Sequence, residues 1–357
     1  IIASLAGAGN KIFIDPYPDG LSNEGDVIIK GNLQVDGTTT TVNSTQTTVN
    51  DPIMMVGDTT SIRTVMTAIN SGASAVVVDA TTVTLTTGNG TIDFSGAVDS
   101  VADGAKDLTI VSGTGTATFN GAIGTSTSGS STKGALGTLT VNSAGNGDIT
   151  FATNADIGTN TVAGASRILV GNGTTGTLAL NGSFYTSSGG NSTGPLPGQI
   201  YTADAITMGG TDPDFHSSAA GAAIKFVDGA SSEMVLSDSA DLTIQTNNGL
   251  IDIEPQIKGT GNDTNTDIVL NASGSTLGSG AIITLDNPGG AVIGTDIGTV
   301  DLTATTITLS NDIETDDSDI TISGAVVLNN TSNDYKVILT TVTGTAGNIS
   351  FCLLYTS

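Results

Sequence analysis

The chain has one cysteine, one histidine, no tryptophan and only nine Lys or Arg residues in 357. Each scarcity removes a class of function. A lone Cys352 closes no intrachain disulfide, so stability must come from hydrogen bonding and assembly. His216 is the only imidazole, which leaves few ways to build a general acid–base pair. Nine cations against 34 acidic residues give a net charge of −25. Such a chain lacks the basic surface that phosphate backbones require, and anionic membranes disfavour it too. The acidity reads as solubility and self-repulsion of an exposed surface. No apolar run approaches the ~18 residues of a membrane-spanning helix. No basic n-region or cleavage site of a secretory signal is present. Because the chain opens Ile1-Ile2 without Met, it reads as a processed chain or a fragment, and the missing signal carries little weight.

What the chain does have is glycine (48 residues) and a 37% hydrophobic share with only 4% aromatics. At 12% charged residues it is not a charge-driven disordered tail. A thin core suits solenoids and fibres, in which each layer buries its apolar side chains against the next. One phrase recurs. Val83-Thr-Leu85, a Gly88-Asn89-Gly90 turn and Thr91-Ile-Asp-Phe94 return as Leu108-Thr-Ile110 … Thr116-Ala-Thr-Phe119. They return again as Leu139-Thr-Val141 … Gly147-Asp-Ile149-Thr-Phe151 and Leu242-Thr-Ile244 … Gly249-Leu-Ile251-Asp-Ile253. Apolar residues alternate with Thr, Asp or Asn between Gly-bearing turns, the period-2 signature of short strands.

The phrase divides the chain into modules. Residues 1–60 form an N-terminal β module, in which Val27, Ile29, Leu33 and Val35 share one parity around a Gly31 bulge. Residues 61–160 carry the first repeat array. Within it Ile62, Val65, Met66 and Ile69 fall at i, i+3, i+4 and i+7, so 61–70 is the one place where a short helix is expected. Residues 161–197 read as a loose Gly/Ser-rich connection, with Gly171–Gly176 and Ser187–Ser192 as turn material closed by Pro195 and Pro197. Residues 198–235 read as an insert of short strands flanking a polar loop, Thr211 to His216. Residues 236–351 return to repeats, with Ile268–Leu270, Ile282–Leu285, Val300–Leu302, Ile307–Leu309 and Ile320–Ile322 at roughly 10–20-residue intervals. The last six residues, 352–357, differ in composition from the rest and resemble a translated adapter tail, with a real terminal strand as the alternative.

Gly25 to Lys30, Gly31 to Ser44 and Val49-Asn-Asp-Pro-Ile-Met-Met-Val-Gly-Asp58 together resemble a phrase of tail-fibre and related virion structural proteins of tailed phages, notably cyanophages. The resemblance covers about a tenth of the chain. The later repeats are similar both to those fibres and to large repeat-bearing bacterial adhesins. The resemblance implies a virion structural protein, extracellular, that self-associates as a homotrimer, joins other virion proteins and displays a surface toward a host glycan or receptor. The adhesin alternative implies a bacterial cell surface or secreted location.

Candidates for chemistry are few. His216 lies near Asp214, Ser217 and Ser218, but a Ser–His–Asp triad needs groups that converge in space, and neighbours in one loop rarely do. Gly171-Asn-Gly-Thr-Thr-Gly176 matches G-x-G-x-x-G, yet a dinucleotide site needs a helix behind it, and Thr177–Leu180 reads as a strand. Paired carboxylates for sugar cleavage could come from Asp312 to Asp319 or from Asp212 and Asp214, without aromatic platforms nearby. Calcium is the alternative for the 312–319 cluster and for Asp263-Thr-Asn265-Thr-Asp267, where Ile268 replaces the glycine of an EF-hand loop.

The expectation is therefore an all-β, elongated, Gly/Thr-rich repeat architecture, a β-solenoid or fibrous β-structure. No catalytic, cofactor or metal residues are assigned, and the chain is expected not to be an enzyme.

Overall fold

A computed structural model describes residues 61–352, apart from 71–75, 102, 103, 105, 126–133, 144, 173, 174, 190–196, 229–232, 262–264, 275, 276, 279, 288, 289, 330–337 and 343–346. The phrase at Gly25–Asp58, the Gly31 bulge, Asp263 and residues 353–357 lie outside the described residues. Chain contacts divide the protein into two units, Ile1–Asn50 and Asp51–Ser357, and every described residue belongs to the second.

Twenty-six strands and no helix are found among the described residues. The strands pair in parallel, each with the strand one coil later, which makes the unit a β-solenoid. A coil runs from Val76–Val78, through Thr82–Phe94, to the next coil at Val98–Ser100. Thr82–Phe94 serves two sides of the coil, pairing with Asp107–Val111 by its first half and with Ala117–Phe119 by its second.

Three ladders result, each with an apolar spine. In the first, Val98, Ile123, Ile157, Tyr185, Phe215, Ile244, Leu270, Leu302 and Ile322 are successive partners. In the second the partners run Leu85, Ile110, Val141, Val170, Tyr201, Phe226, Ile253, Leu285 and Leu309. In the third they run Ile92, Ala117, Ile149, Leu178, Ile206, Met234, Ile257, Ile293 and Ile313. Every one of these residues is buried, and together they form one core. The alternation read from sequence sets this directly: Val83 and Leu85 face inward, while Thr82, Thr84 and Thr86 face out.

Aromatic side chains stack along the spines, because a parallel in-register neighbour stands one strand spacing away, ~4.8 Å. Phe94 on Phe119 and Phe119 on Phe151 each have ring centroids 4.9 Å apart. Tyr185 stacks on Phe215 at 4.6 Å, and Tyr201 on Phe226 at 5.0 Å.

The helix expected at 61–70 is instead the strand Ser61–Asn70, paired in parallel with Thr82–Phe94. Half of the segment is β-branched (Ile62, Thr64, Val65, Thr67, Ile69), and the open edge of the following coil supplies backbone partners that a lone helical turn lacks. Likewise, the polar loop expected up to His216 gives way at Asp214 to the strand Asp214–Ala220, anchored by the inward Phe215 and Ser217. The described strands between 161 and 235 pair in the same way. Ala165–Gly171 pairs back to Leu136–Asn142 and forward to Gln199–Ala203. Gly171 ends its strand at φ 79, and a Cβ there would collide with the Thr202 carbonyl.

Candidate functional site

The polar residues of this solenoid have two settings, corners and outer faces. At the corners one device recurs. Asp107, Asp148, Asp156, Asp241, Asp267, Asp312 and Asp319 each stand directly before a Leu or Ile that opens or leads a strand segment. Each Oδ1 accepts a backbone N–H from the next coil. The donors are Thr138 (2.7 Å), Thr177 (2.8 Å), Ser183 (2.7 Å), Asp267 (2.9 Å), Thr299 (2.6 Å), Ile338 (2.7 Å) and Asn348 (2.6 Å) in that order. Asp156 takes a second bond from Phe184 N at 3.1 Å. Asn89 and Asn181 do the same with Thr114 N and Gly209 N. Where the chain turns out of one ladder, an N–H loses its strand partner, and a short carboxylate one coil away replaces it. From sequence alone these acids read as solvated surface. The signal that identifies them is positional: an Asp immediately ahead of the inward aliphatic that leads a ladder segment.

The acidic stretch 312–319 is built this way. Asp312 and Asp319 cap the next coil, and Thr315 Oγ1 donates to the Ser318 carbonyl at 2.9 Å. Desolvation, with Asp296 and Asp317 nearby, raises the Asp316 pKa above the ordinary carboxylate value. Asp267 both caps Thr299 and donates its own N–H to Asp241. Burial is also the main cause that raises Asp241, with Asp267 and Asp212 adding to it. No group of three or more His, Cys, Asp or Glu converges as a metal cage among the described residues.

The strand Asp214–Ala220 carries the triad candidates. Asp214 and His216 lie on the outer side, Ser217 is buried, and Ser218 donates to the Ser187 carbonyl at 3.2 Å. Ser217 and His216 therefore face opposite sides of one strand, while Ser218 lies on the outer side with His216. Asp214 is raised by desolvation, which the neighbouring His216 partly offsets. Asp212 sits at the preceding corner at φ 49 and accepts Asp241 N at 3.3 Å. Gly171 and Gly176 are followed by the strand Thr177–Leu180, so the glycine phrase opens onto a ladder and not onto a helix.

Inside, the middle coils hold a buried polar network. Gln199 Nε2 donates to the carbonyls of Tyr185 (2.8 Å) and His216 (2.9 Å). Tyr201 OH donates to Gln199 Oε1 at 2.9 Å, and Tyr185 OH accepts Gly182 N at 3.0 Å. Burial pushes both phenols well above their ordinary pKa, so they remain neutral donors and acceptors. All three arrangements hold coils together: corners cap backbone, the network satisfies core polar atoms, and the spines exclude water. Cys352, the last described residue, is a free exposed thiol. No family model, no curated protein and no solved structure matches the chain.

Proposed function

We propose that the chain is a structural element of a virion, a tail-fibre or fibre-shaft-like protein that spans or displays toward a host surface. The observation that carries this reading is the solenoid itself. Its recurring acids are bonded to the backbone of the next coil, which gives a stiff spacer whose polar chemistry is used in holding its own shape. The fibre-like phrase at Gly25–Asp58 supports the same reading. In this proposal the protein is extracellular, is no enzyme, needs no cofactor, and assembles with its own copies as a homotrimer and with other virion proteins. A host glycan or receptor is its outward partner.

Peptide mass spectrometry of virions purified from the source material tests the assignment. Solenoid peptides that co-purify with capsid and tail proteins are the expected result. Recovery of the same peptides only in bacterial envelope or secreted fractions would replace it with the second reading, a surface or secreted repeat adhesin. Release of reducing sugar from capsule or lipopolysaccharide by the purified protein would overturn the non-enzymatic part.

A further inference from the structure

Six Asn-Gly pairs punctuate the chain, and both residues are described for five: Asn89-Gly90, Asn120-Gly121, Asn146-Gly147, Asn181-Gly182 and Asn248-Gly249. Stacking of the coils demands the glycine. A Cβ at Gly121 would stand 2.6 Å from the Gly96 carbonyl oxygen, one at Gly147 2.8 Å from that of Gly115, and one at Gly182 3.0 Å from that of Ala155. This requirement has a chemical consequence. Asn is a labile side chain, and it is most labile before glycine, where no Cβ hinders the next backbone nitrogen from closing on the Asn Cγ.

The fold treats the five pairs differently. Gly182 N donates to Tyr185 OH at 3.0 Å and Gly249 N to Thr246 Oγ1 at 3.3 Å, so both nitrogens are engaged, and both glycines are buried. Gly147 is buried too, away from the base that must take its proton. Asn89 and Gly90 lie inside the strand Thr82–Phe94, which pairs with Ser61–Asn70, and Asn89 Oδ1 is held by Thr114 N at 3.2 Å. Asn120-Gly121 is the pair that combines an exposed Asn, a glycine that is not buried and a place outside the strands. No acceptor for the Gly121 N–H is found among the described residues.

We infer that Asn120 is a site of spontaneous deamidation in the folded protein, and that the fold shields the other four. The Gly121 nitrogen gives its proton to base and bonds to Asn120 Cγ. The Cγ–Nδ2 bond breaks, and ammonia leaves with a proton from water. Water then opens the cyclic imide to aspartate or isoaspartate, so water is the one co-reactant. The product matters at this corner. Asn120 Nδ2 donates to Asp93 Oδ1, one coil earlier, at 2.9 Å. After the change that donor is gone and two carboxylates meet, on a chain already at −25. Asn181 would lose less, because its Oδ1 accepts Gly209 N at 3.1 Å and an aspartate accepts as well.

The test is peptide mass spectrometry of the full chain over time at mildly alkaline pH, folded and, in parallel, in denaturant. Cleavage after Lys106, Lys133, Arg167, Lys225 and Lys258 places the five pairs on separate peptides. In the folded chain Asn120 is expected to deamidate several-fold faster than the other four. In denaturant, where the fold shields none of them, the five rates should draw together. Asn120 left intact in folded protein while the denatured chain is modified overturns the inference. So does modification of Asn89, Asn146, Asn181 or Asn248 as fast as that of Asn120. Asn120→Gln, whose longer side chain closes the imide poorly, should abolish the fast site, and persistence of a fast product on that peptide overturns the assignment. Asn120→Asp, which stands in for the product, should melt below the parent and below Asn181→Asp. An Asn120→Asp variant that melts with the parent overturns the loss of the corner contact.

Discussion

The coils around Phe119 and the coils around Tyr201 solve the same packing problem differently. In the earlier coils the third ladder repeats one residue, so Phe94, Phe119 and Phe151 lie nearly parallel, with interplanar angles of 12° and 4°. In the middle coils the aromatic density moves to the other two ladders. Tyr185 and Phe215 stack in the first, Tyr201 and Phe226 in the second, and the two stacks meet edge to face at 82–87°. Phe151 and Tyr185 join the two regions at 6.1 Å and 82°. The earlier stack is apolar throughout. The middle cluster brings two hydroxyls inside and needs Gln199 and the Gly182 amide to satisfy them. A solenoid thus keeps core volume from coil to coil and not residue identity, and each departure from identity adds its own requirement.

The contrast predicts different failures. Phe119→Ala removes the ring between two others and leaves a void with no polar group to draw in water, so it should cost about 3–5 kcal/mol. Because each coil contacts mainly its neighbours, hydrogen exchange should accelerate most in 92–151 and little beyond 240. Gln199→Leu keeps the volume but strands Tyr201 OH and two carbonyls, with an expected loss of about 2–3 kcal/mol. Adding Tyr201→Phe should restore part of it. If that double variant is no better than Gln199→Leu alone, the middle region does not depend on hydroxyl satisfaction as described. With no Trp in the chain, far-UV circular dichroism is the suitable unfolding signal.

A third variant addresses the corner that joins the two regions. Asp156→Ala deletes the acceptor of both Ser183 N and Phe184 N and should cost about 1–2 kcal/mol, while Asp156→Asn, which keeps an oxygen there, should be close to neutral. The smallest effect belongs to Asp214. Its pKa is raised in the folded chain, chiefly by burial, so the ionised carboxylate disfavours folding at neutral pH. As pH falls through the raised folded value toward the unfolded 3.8, the folded state gains relative to a chain without this group. Asp214→Asn should therefore melt slightly higher than the parent near neutral pH. The advantage should vanish below 3.8, and a variant that melts lower at neutral pH would contradict the assignment.

Much of this fold is legible in particular residues. The Val83-Thr-Leu85 and Leu108-Thr-Ile110 phrases mark strands of one ladder, and Phe94, Phe119 and Phe151 fall in register as their spacing suggests. The strand Ser61–Asn70 reads as a helix from sequence because four apolar residues at helical spacing say nothing about an available sheet edge. Which ladder each run joins is not legible, since connections between coils vary in length and only the closed stack fixes the register. The corner acids are visible in the sequence but not their bonds, because each carboxylate's partner lies about one full coil further along the chain.

Engineered cysteine pairs in a Cys352→Ser background test the parallel, in-register stack most directly. Register places Thr118 beside Thr150, Thr109 beside Thr140, and His216 beside Gln245, one pair on each ladder and all facing outward. Each pair, changed to cysteines, should close a disulfide under mild oxidation, because adjacent strands bring Cα atoms within the ~4.4–6.8 Å that the bond requires. Asp93 with Thr150, two coils apart, should stay open. Closure of the two-coil pair as readily as the three neighbouring pairs, or failure of the neighbours in folded protein, would contradict the three-ladder solenoid.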